Sequence, residues 1–369
     1  MKVPLFDLKL QYKALKPEID KAIEGVFEHT QFIMGPEVKL LEAKLAEYCN
    51  TKYAVGVSSG TDALIIALHA LGIKPGDEVI VPTFSFFASA GVVARLGATP
   101  VFVDIDERTF NINANQIEQK ITPRTKAIMP VHLYGQAAWM DKIMELSKQY
   151  NLFVVEDAAQ AIGARYRDRM AGSFGHISGF SCFPTKNLGA FGDAGFITTD
   201  KDEYIEILRK LRLHGAQPKY HHALVGYNAR LDTIQAAILL VKLNYLNEWH
   251  EARRRKAEIY DRELSGISGL RTPFVYEHNY HIYHQYTLIV ENRQGLAARL
   301  KENEIGFETY YPVPLHLQEC FKDLHYKEGD LPVAERLAKS VISLPIYPEL
   351  PESHQAFVID TIKGFYNRR

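Results

Sequence analysis

Between about residues 50 and 200, short apolar runs alternate with longer segments in which apolar residues recur every three or four positions. The short runs predict buried strands, and the longer spacing predicts amphipathic helices. The predicted strands are residues 53–57, 78–81, 100–103, 127–131, 152–155 and 195–199. The predicted helices are residues 62–71, 88–96, 114–121 and 140–150. This alternation predicts an α/β fold, with a mainly parallel sheet sandwiched between helices.

The pattern changes after residue 231. Residues 232–264 contain neither Pro nor Gly and are rich in Ala, Leu, Glu, Lys and Arg, which predicts one long helix or two joined helices. Further strand and helix patterns then follow at residues 283–290, 295–302, 306–311 and 355–366, which predicts a smaller α+β lobe. We therefore expect two domains, residues 1–250 and residues 251–369, joined by the long helix.

Composition narrows the classes of partner. The 43 basic and 44 acidic side chains give a formal net charge of −1, which offers no large positive field for nucleic acid or an anionic membrane. No apolar run approaches the roughly 18 residues that span a bilayer, and Asp7 comes too early for a secretory signal. Three widely spaced cysteines fit neither a disulfide framework nor a metal site. We expect a cytoplasmic protein without a metal.

The candidate chemistry centres on Lys186 and on Asp157, which follows the apolar run 152–155. A lysine in a loop of small residues can hold pyridoxal phosphate as a Schiff base, and a carboxylate at a strand end can keep the pyridine nitrogen protonated. Gln160 could reach the ring hydroxyl. Alternatively, Lys186 is a surface lysine, and Asp157 and Gln160 are helix caps. The stretch 180–195 contains no other basic residue, which favours the catalytic interpretation.

Shorter features supply further candidates for holding such a cofactor. Ser59, Gly60 and Thr61 lie at a predicted strand–turn–helix junction, whose unpaired backbone N–H groups suit a phosphate. Ser181 could add a hydroxyl to the same phosphate. Phe86 follows another predicted strand and could stack on the pyridine ring. Taken singly, these features are also typical of helix caps and core packing.

Six motifs occur in order along the chain, at residues 59–64, 130–135, 156–160, 184–189, 226–232 and 311–316. Together they resemble the DegT/StrS family of pyridoxal-phosphate-dependent nucleotide-sugar aminotransferases, within the aspartate aminotransferase superfamily. The resemblance runs from the N-terminus nearly to the C-terminus. It implies fold type I, with a mainly parallel sheet of the seven-stranded type between helices and a smaller C-terminal α+β lobe.

The resemblance also implies roles for individual residues. Lys186 is expected to form the Schiff base, Asp157 to contact the pyridine nitrogen, and Gln160 to contact the ring hydroxyl. The remaining contacts to phosphate and ring are implied for Gly60, Thr61, Ser181 and Phe86. In this family the position of Asn228 reaches the cofactor phosphate of the neighbouring subunit, which implies a homodimer with a shared active site.

The expected substrates are a nucleotide-linked keto-sugar and glutamate, which leaves as 2-oxoglutarate after converting the cofactor to pyridoxamine phosphate. Such chemistry belongs to amino-sugar and polysaccharide biosynthesis. The segments 311–316 and 344–350 resemble the 3-keto branch more than the 4-keto branch. Tyr311, His316, His132 and Phe183 are the candidates for contact with the sugar. Both histidines have a structural role as the alternative, and Phe183 stands where many relatives have Tyr.

Two alternatives stay open at this point. A dehydratase branch of the same family has histidine in place of the Schiff-base lysine, so Lys186 favours the aminotransferase over a pyridoxamine-phosphate-dependent sugar dehydratase. Some family members were first described as regulators, which leaves a regulatory or DNA-binding protein as the second alternative. The near-zero net charge counts against DNA binding. The sequence does not predict the nucleotide (UDP, dTDP or GDP), the sugar or the pathway.

Overall fold

The computed structural model of the protein describes residues 1–216, 218 and 220–367. Its strands are β1 (Tyr53–Val57), β2 (Glu78–Pro82), β3 (Thr99–Val103), β4 (Thr125–Ile128), β5 (Phe153–Asp157), β6 (Arg165–Tyr166), β7 (Arg169–Met170), β8 (Ile177–Ser181), β9 (Gly195–Thr199), β10 (Leu270–Arg271), β11 (Asn279–Tyr280), β12 (Tyr286–Val290) and β13 (Val341–Leu344). Its α-helices are α1 (Leu8–His29), α2 (Pro36–Cys49), α3 (Gly60–Ala70), α4 (Ala88–Arg95), α5 (Met140–Tyr150), α6 (Asp202–Arg212), α7 (Thr233–Leu243), α8 (Leu246–Leu264), α9 (Arg293–Glu302), α10 (Pro332–Ser340) and α11 (Glu352–Tyr366).

A central sheet organises the larger part of the molecule. In the described residues it has seven strands in the order β1-β9-β8-β5-β4-β2-β3, and among them only β9 runs antiparallel to its neighbours. Apolar runs such as Val154-Val155 in β5 are buried because helices cover both faces of the sheet. The expected α/β class with a mainly parallel sheet is confirmed.

The helices divide between the two faces of this sheet. Helices α1, α2, α5 and α7 and the start of α8 pack on one face, and α3, α4 and α6 pack on the other. The region predicted as one or two helices is α7 followed by α8. Residues 114–121, predicted as a helix, form two 3₁₀ turns instead, at Ala114–Gln116 and Glu118–Lys120. No helix within the described residues combines the length and apolarity that crossing a bilayer requires.

The C-terminal region has its own apolar cluster. Strands β10, β12 and β13 form an antiparallel sheet that packs with α9, α11 and the later turns of α8. The predicted boundary at residue 250 falls inside α8, where Trp249 packs with the main cluster and Tyr260 with the C-terminal one. The division into two domains at that residue stays a prediction.

The sheet topology determines where a site can form. Strands β1, β2, β5 and β8 are parallel, so their carboxyl ends lie at the same edge of the sheet. Residues 59–61, 85–86, 157 and 181 end or follow these strands. An open α/β sheet binds its ligands at this edge.

Candidate active site

A cavity of about 720 Å³ opens at the carboxyl ends of the parallel strands. One side, here called the strand-end wall, consists of residues 59–61, 85, 157, 159, 160, 181 and 186. A second group of lining residues, here called the loop wall, consists of residues 308–313, 315 and 318. Phe86 and Phe183 also line the cavity, and both rings are about half exposed.

Lys186 lies on the strand-end wall with its side chain partly buried. A backbone bond of 2.8 Å from its N–H to the carbonyl of Phe183 closes the turn that presents it. Burial lowers the pKa of the Lys186 amine to about 8, although the negative charge of Asp157 acts in the opposite direction. A useful fraction of the amine is therefore neutral, and hence nucleophilic, near neutral pH.

Asp157 ends β5 and is only 4% exposed. The hydroxyl of Ser89 donates to its Oδ2 at 2.7 Å, and the backbone N–H of Ala159 donates to its Oδ1 at 3.2 Å. Burial raises the pKa of this carboxyl, while the bonds from Ser89 and Ala159 and the charge of Lys186 oppose the rise. A buried carboxylate of this kind is suited to a cationic N–H partner in the cavity.

Gln160 presents an oriented amide to the same cavity. The backbone N–H of Tyr134 donates to Gln160 Oε1 at 2.7 Å, and because only the oxygen can accept that bond, the orientation of the amide is determined. Tyr134 reaches it from a left-handed conformation with φ of 59°. Gln160 Nε2 then donates to the hydroxyl of Tyr311 at 3.1 Å. The amide thus offers N–H groups, which suit an ionised ring oxygen.

The start of α3 forms the third part of the strand-end wall. The Ser59 side chain caps this helix by accepting from the N–H of Asp62 at 3.0 Å, and its hydroxyl donates to the Asp62 carboxylate at 2.9 Å. A Cβ at Gly60 would lie 2.6 Å from the Cβ of Ser181, so glycine allows the helix end and Ser181 to approach. Thr61 lines the cavity beside them. Helix N-termini of this kind bind phosphate.

The residues present fit pyridoxal phosphate. Lys186 supplies an amine, Asp157 a buried carboxylate, Gln160 an amide donor, and the start of α3 an anion site, all on one wall. Each of these four groups matches one polar part of the cofactor: its aldehyde, its pyridine nitrogen, its ring hydroxyl and its phosphate.

The candidates for contact with a sugar are placed differently. Tyr311 and Phe183 line the cavity, and the ring of Phe86 lies 6.4 Å from that of Tyr311. His132 and His316 do not line it. Both histidines are buried, and each ring bonds a buried glutamate and a second polar group.

The bonds of the two histidines explain their position. His132 Nε2 lies 2.8 Å from a carboxylate oxygen of Glu156, and its Nδ1 accepts from the backbone N–H of Ala138 at 3.0 Å. His316 Nδ1 lies 2.6 Å from the hydroxyl of Thr83, and its Nε2 lies 3.1 Å from Glu335. The structural alternative therefore accounts for both side chains within this chain, and the expected sugar contact does not.

Asn228 is exposed and lies outside the main cavity of its own chain. It lines an adjoining depression of about 390 Å³ together with Ser58, Arg230 and Ile33. Asp193 lines both this depression and the main cavity. The expected reach of Asn228 into a neighbouring subunit stays a prediction.

Several residues that line the cavity are not predicted by the sequence analysis. His284 lines it, with Nδ1 3.0 Å from the Oδ1 of Asn187, and burial holds the pKa of His284 well below its usual value, so it is neutral. Gln285 and Glu308 also line it. No motif contains these residues. Ser89 lies behind Asp157 in the first turn of α4, and no local sequence signal indicates its contact with a carboxylate 68 positions away.

The sequence of this chain is similar to those of known aminotransferases. The model of the DegT/DnrJ/EryC1/StrS aminotransferase family matches residues 13–363. A pleiotropic regulatory protein of Geobacillus stearothermophilus is 51% identical over 99% of this chain and 99% of its own length. The dTDP-3-amino-3,4,6-trideoxy-alpha-D-glucose transaminase of Streptomyces venezuelae is 43% identical over 100% of this chain and 97% of its own.

Solved structures agree with this chain in fold. The structure of Streptomyces venezuelae DesV in complex with a ketimine intermediate has a TM-score of 0.98 and 43% identity, and covers 100% of this chain and 99% of its own. NtdA from Bacillus subtilis, solved with bound cofactor PMP, has a TM-score of 0.94 and 32% identity, over 99% of this chain and 85% of its own. The chain therefore belongs to the DegT/DnrJ/EryC1/StrS aminotransferase family, and it is a pyridoxal-phosphate-dependent sugar aminotransferase.

Proposed function

We propose that this enzyme transfers the amino group of glutamate to carbon 3 of a nucleotide-linked 3-keto-sugar. The observation that carries the proposal is the presence of Lys186 and Asp157 on one wall of a cavity large enough for a cofactor and a sugar. Relatives named for 3-amino products support the choice of carbon. One is the Streptomyces transaminase, and another is the UDP-N-acetyl-3-dehydro-alpha-D-glucosamine 3-aminotransferase of Acidithiobacillus ferrooxidans, which is 45% identical over 98% of this chain and 97% of its own length.

Lys186 is the catalytic residue in this proposal. Pyridoxal phosphate, when bound, supplies an electron sink that allows an amino group to pass from one carbon to another. Lys186 anchors the cofactor covalently through its Nζ and, when displaced from it, moves a proton between donor carbon and cofactor. Its lowered pKa suits both tasks, because the amine must exist in neutral and protonated forms near neutral pH.

The other polar groups of the strand-end wall bind and orient the cofactor. Asp157 holds the proton on the pyridine nitrogen, and Gln160 donates to the ring oxygen. Gly60, Thr61 and Ser181 receive the phosphate at the start of α3. The burial of Asp157 and the determined orientation of the Gln160 amide support these roles.

The loop wall and Phe183 receive the sugar nucleotide. Phe86 packs against the cofactor ring, and Phe183 and Tyr311 face the sugar. Because the hydroxyl of Tyr311 accepts from Gln160, its own proton is available to donate to a substrate oxygen. Tyr311 thereby connects the cofactor-binding groups to the substrate.

A second copy of the chain completes the site. Large apolar side chains are exposed along the N-terminal helices and beside the Asn228 depression: Phe27, Phe32, Ile33, Leu40 and Phe191. The rings of Phe27 and Phe32 lie 5.9 Å apart, and exposed apolar patches are typical of protein interfaces. Covering it with a partner subunit brings Asn228 of one copy toward the cofactor phosphate of the other.

Mixing two defective chains tests this shared site. Lys186→Ala and Asn228→Ala chains, refolded together, form hybrid dimers with one site free of both changes. The mixture is expected to exceed the mean activity of the two parents. A mixture that stays at that mean would refute the contribution of Asn228 in trans, and a monomer by sedimentation would refute the dimer.

The product decides the function itself. The enzyme is incubated with glutamate and with nucleotide-linked 3-keto- and 4-keto-sugars, and the nitrogen-bearing carbon of each product is located by NMR. We expect a 3-amino-sugar and stoichiometric 2-oxoglutarate. A 4-amino product would overturn the choice of carbon, and loss of water without gain of nitrogen would indicate a dehydratase.

A further inference from the structure

Two buried hydroxyls form a chain that ends on the carboxylate of Asp157. The Oγ atoms of Ser85 and Ser89 lie 2.9 Å apart, and Ser89 Oγ lies 2.7 Å from Asp157 Oδ2. Ser89 is 0% exposed and Ser85 is 3% exposed. Ser85 lines the cavity, whereas Ser89 lies behind it in the first turn of α4. The relay therefore runs from the cavity, through the protein, to the buried side of the carboxylate.

The direction of the bonds in this relay follows from the donor inventory. An ionised carboxylate can only accept, so Ser89 must donate its single proton to Asp157. The oxygen of Ser89 is then an acceptor, and Ser85 is the donor to it. Both hydroxyl dipoles point toward Asp157, which favours its ionised form. The other oxygen of the carboxylate accepts from the N–H of Ala159.

A purely structural serine would be bonded differently. A serine hydroxyl on a helix can bond a nearby backbone carbonyl or point to solvent. Ser89 instead bonds a side chain 68 positions away, across the gap between α4 and β5. Among the hydrogen bonds of the described residues, the two to the Asp157 carboxylate come from the hydroxyl of Ser89 and the backbone N–H of Ala159. Within the part of the chain that the structure describes, Ser89 is thus the side-chain donor to this carboxylate.

We propose that Ser89 is a positioning residue for the pyridine nitrogen of the cofactor, acting through Asp157, with Ser85 completing the relay from the cavity. By donating to Oδ2, Ser89 keeps the carboxylate ionised in a buried place and leaves it free to accept from a ring N–H. This inference rests on the proposed role of Asp157. It extends that role to two serines that act on the ring nitrogen through Asp157.

The test compares two cofactors that differ at one atom. Apo-protein is titrated with pyridoxal phosphate and with its 1-deaza analogue, which has carbon in place of the ring nitrogen. For Ser89→Ala we expect roughly tenfold weaker binding of pyridoxal phosphate, the size of losing one hydrogen bond to a charged group. The affinity for the 1-deaza analogue is expected to stay unchanged. Ser85→Ala should also weaken the binding of pyridoxal phosphate alone, by a smaller factor than Ser89→Ala does.

Control variants separate positioning from folding. Ser147→Ala removes another buried serine hydroxyl, which donates to the carbonyl of Leu152 at 2.6 Å away from the cavity, and should leave both affinities at the wild-type value. Ser89→Thr retains a hydroxyl and should bind pyridoxal phosphate more tightly than the 1-deaza analogue, as the wild-type protein does. Thermal unfolding of each variant measures its folding independently of the cofactor.

The outcomes are distinguishable. If Ser89→Ala weakens both cofactors equally, or neither, the inference is overturned and Ser89 is a packing residue. If the wild-type protein itself binds the two cofactors with equal affinity, the proposed role of Asp157 is wrong, and the inference about Ser89 is overturned as well. If the wild type distinguishes them and Ser89→Ala does so less, both stand.

Discussion

The two walls of the cavity differ in how their side chains are held. On the strand-end wall, Asp157 and Gln160 are buried, and donors from other segments fix each of them. On the loop wall, Glu308, Pro312 and Val313 are exposed. The first wall lies at the ends of strands of a packed sheet or in the turns that follow them, and the second belongs to the segment that connects α9 and α10.

This difference separates what the enzyme must keep from what it can vary. The cofactor needs the same four groups in every reaction, so rigid strand ends carry them. A substrate differs from one relative to another, and exposed connecting segments tolerate change without unfolding the sheet. We therefore expect changes on the strand-end wall to affect cofactor binding and rate together. Changes on the loop wall should affect the KM for the sugar.

The largest effect is expected for Lys186→Ala. Transamination should fall by on the order of 10⁴-fold or more, because anchor and proton shuttle are lost together. The visible absorption of the bound cofactor should disappear as well. Lys148→Ala, an exposed lysine on α5, is the control and should retain full activity. Retained turnover in Lys186→Ala would contradict the assignment.

Asp157→Asn should have the next largest effect. The neutral amide cannot stabilise a protonated ring nitrogen, so kcat should fall roughly 10²- to 10³-fold, the usual loss for one preorganised electrostatic partner. The KM for the sugar should change little, because the contact lies on the other wall. Measurement of kcat and KM separately checks this, and a pure KM effect would erase the distinction between the walls.

Tyr311→Phe probes the place where the two walls meet. The variant loses the hydroxyl that accepts from Gln160, and kcat/KM should fall roughly two- to tenfold, as for one neutral hydrogen bond. Steady-state kinetics with a fixed glutamate concentration measure it. The matched variant Tyr310→Phe leaves the Gln160 bond intact, so an equal loss there would argue against a specific role for Tyr311.

The pH dependence of cofactor capture sharpens the same contrast. Burial lowers the pKa of Lys186 to about 8, and the neutral amine is the nucleophile. The rate at which apo-protein captures pyridoxal phosphate should therefore rise about fivefold between pH 7 and pH 8 and level off above the pKa. Stopped-flow absorption follows the reaction. A rate that keeps rising to about pH 10, as for an ordinary lysine, would show that Lys186 is not perturbed in this way.

The smallest effect is expected for Phe183→Tyr. The ring is 48% exposed at the mouth of the cavity, so an added hydroxyl reaches water without disturbing the core. The KM for the sugar should change by about threefold or less, and the affinity for pyridoxal phosphate should not change. A change in cofactor affinity would place Phe183 with the strand-end wall.

The sequence predicts more of the strand-end wall than of the loop wall, for physical reasons. Asp157 and Gly60 follow apolar strands, and strand periodicity is a local signal, so the strand-end wall was largely foreseen. Strand β8 was missed because its small residues obscure the pattern. A Cβ at Gly179 would lie 2.8 Å from the Cδ2 of Leu64, so close packing of α3 requires glycine inside this strand.

Local sequence patterns do not predict the contacts that connect distant segments. Ser89 and Asp157 are 68 positions apart, and Gln160 and Tyr311 are 151 positions apart. Nothing in the local sequence distinguishes a histidine tied to a buried glutamate, such as His132, from one that faces a substrate. Gln285 directly precedes β12, and Glu308 lies in the predicted segment 306–311, where the structure has an isolated bridge to Ser343 instead of a strand, so no motif marks either position.

The central claim is that Lys186 carries the cofactor. Reduction of the cofactor-loaded enzyme with borohydride, followed by digestion and mass spectrometry, locates the covalent adduct directly. The account predicts one pyridoxyl adduct per chain, on the peptide that contains Lys186. An adduct on another lysine, such as the buried Lys242, or no adduct after loading and reduction, would contradict it.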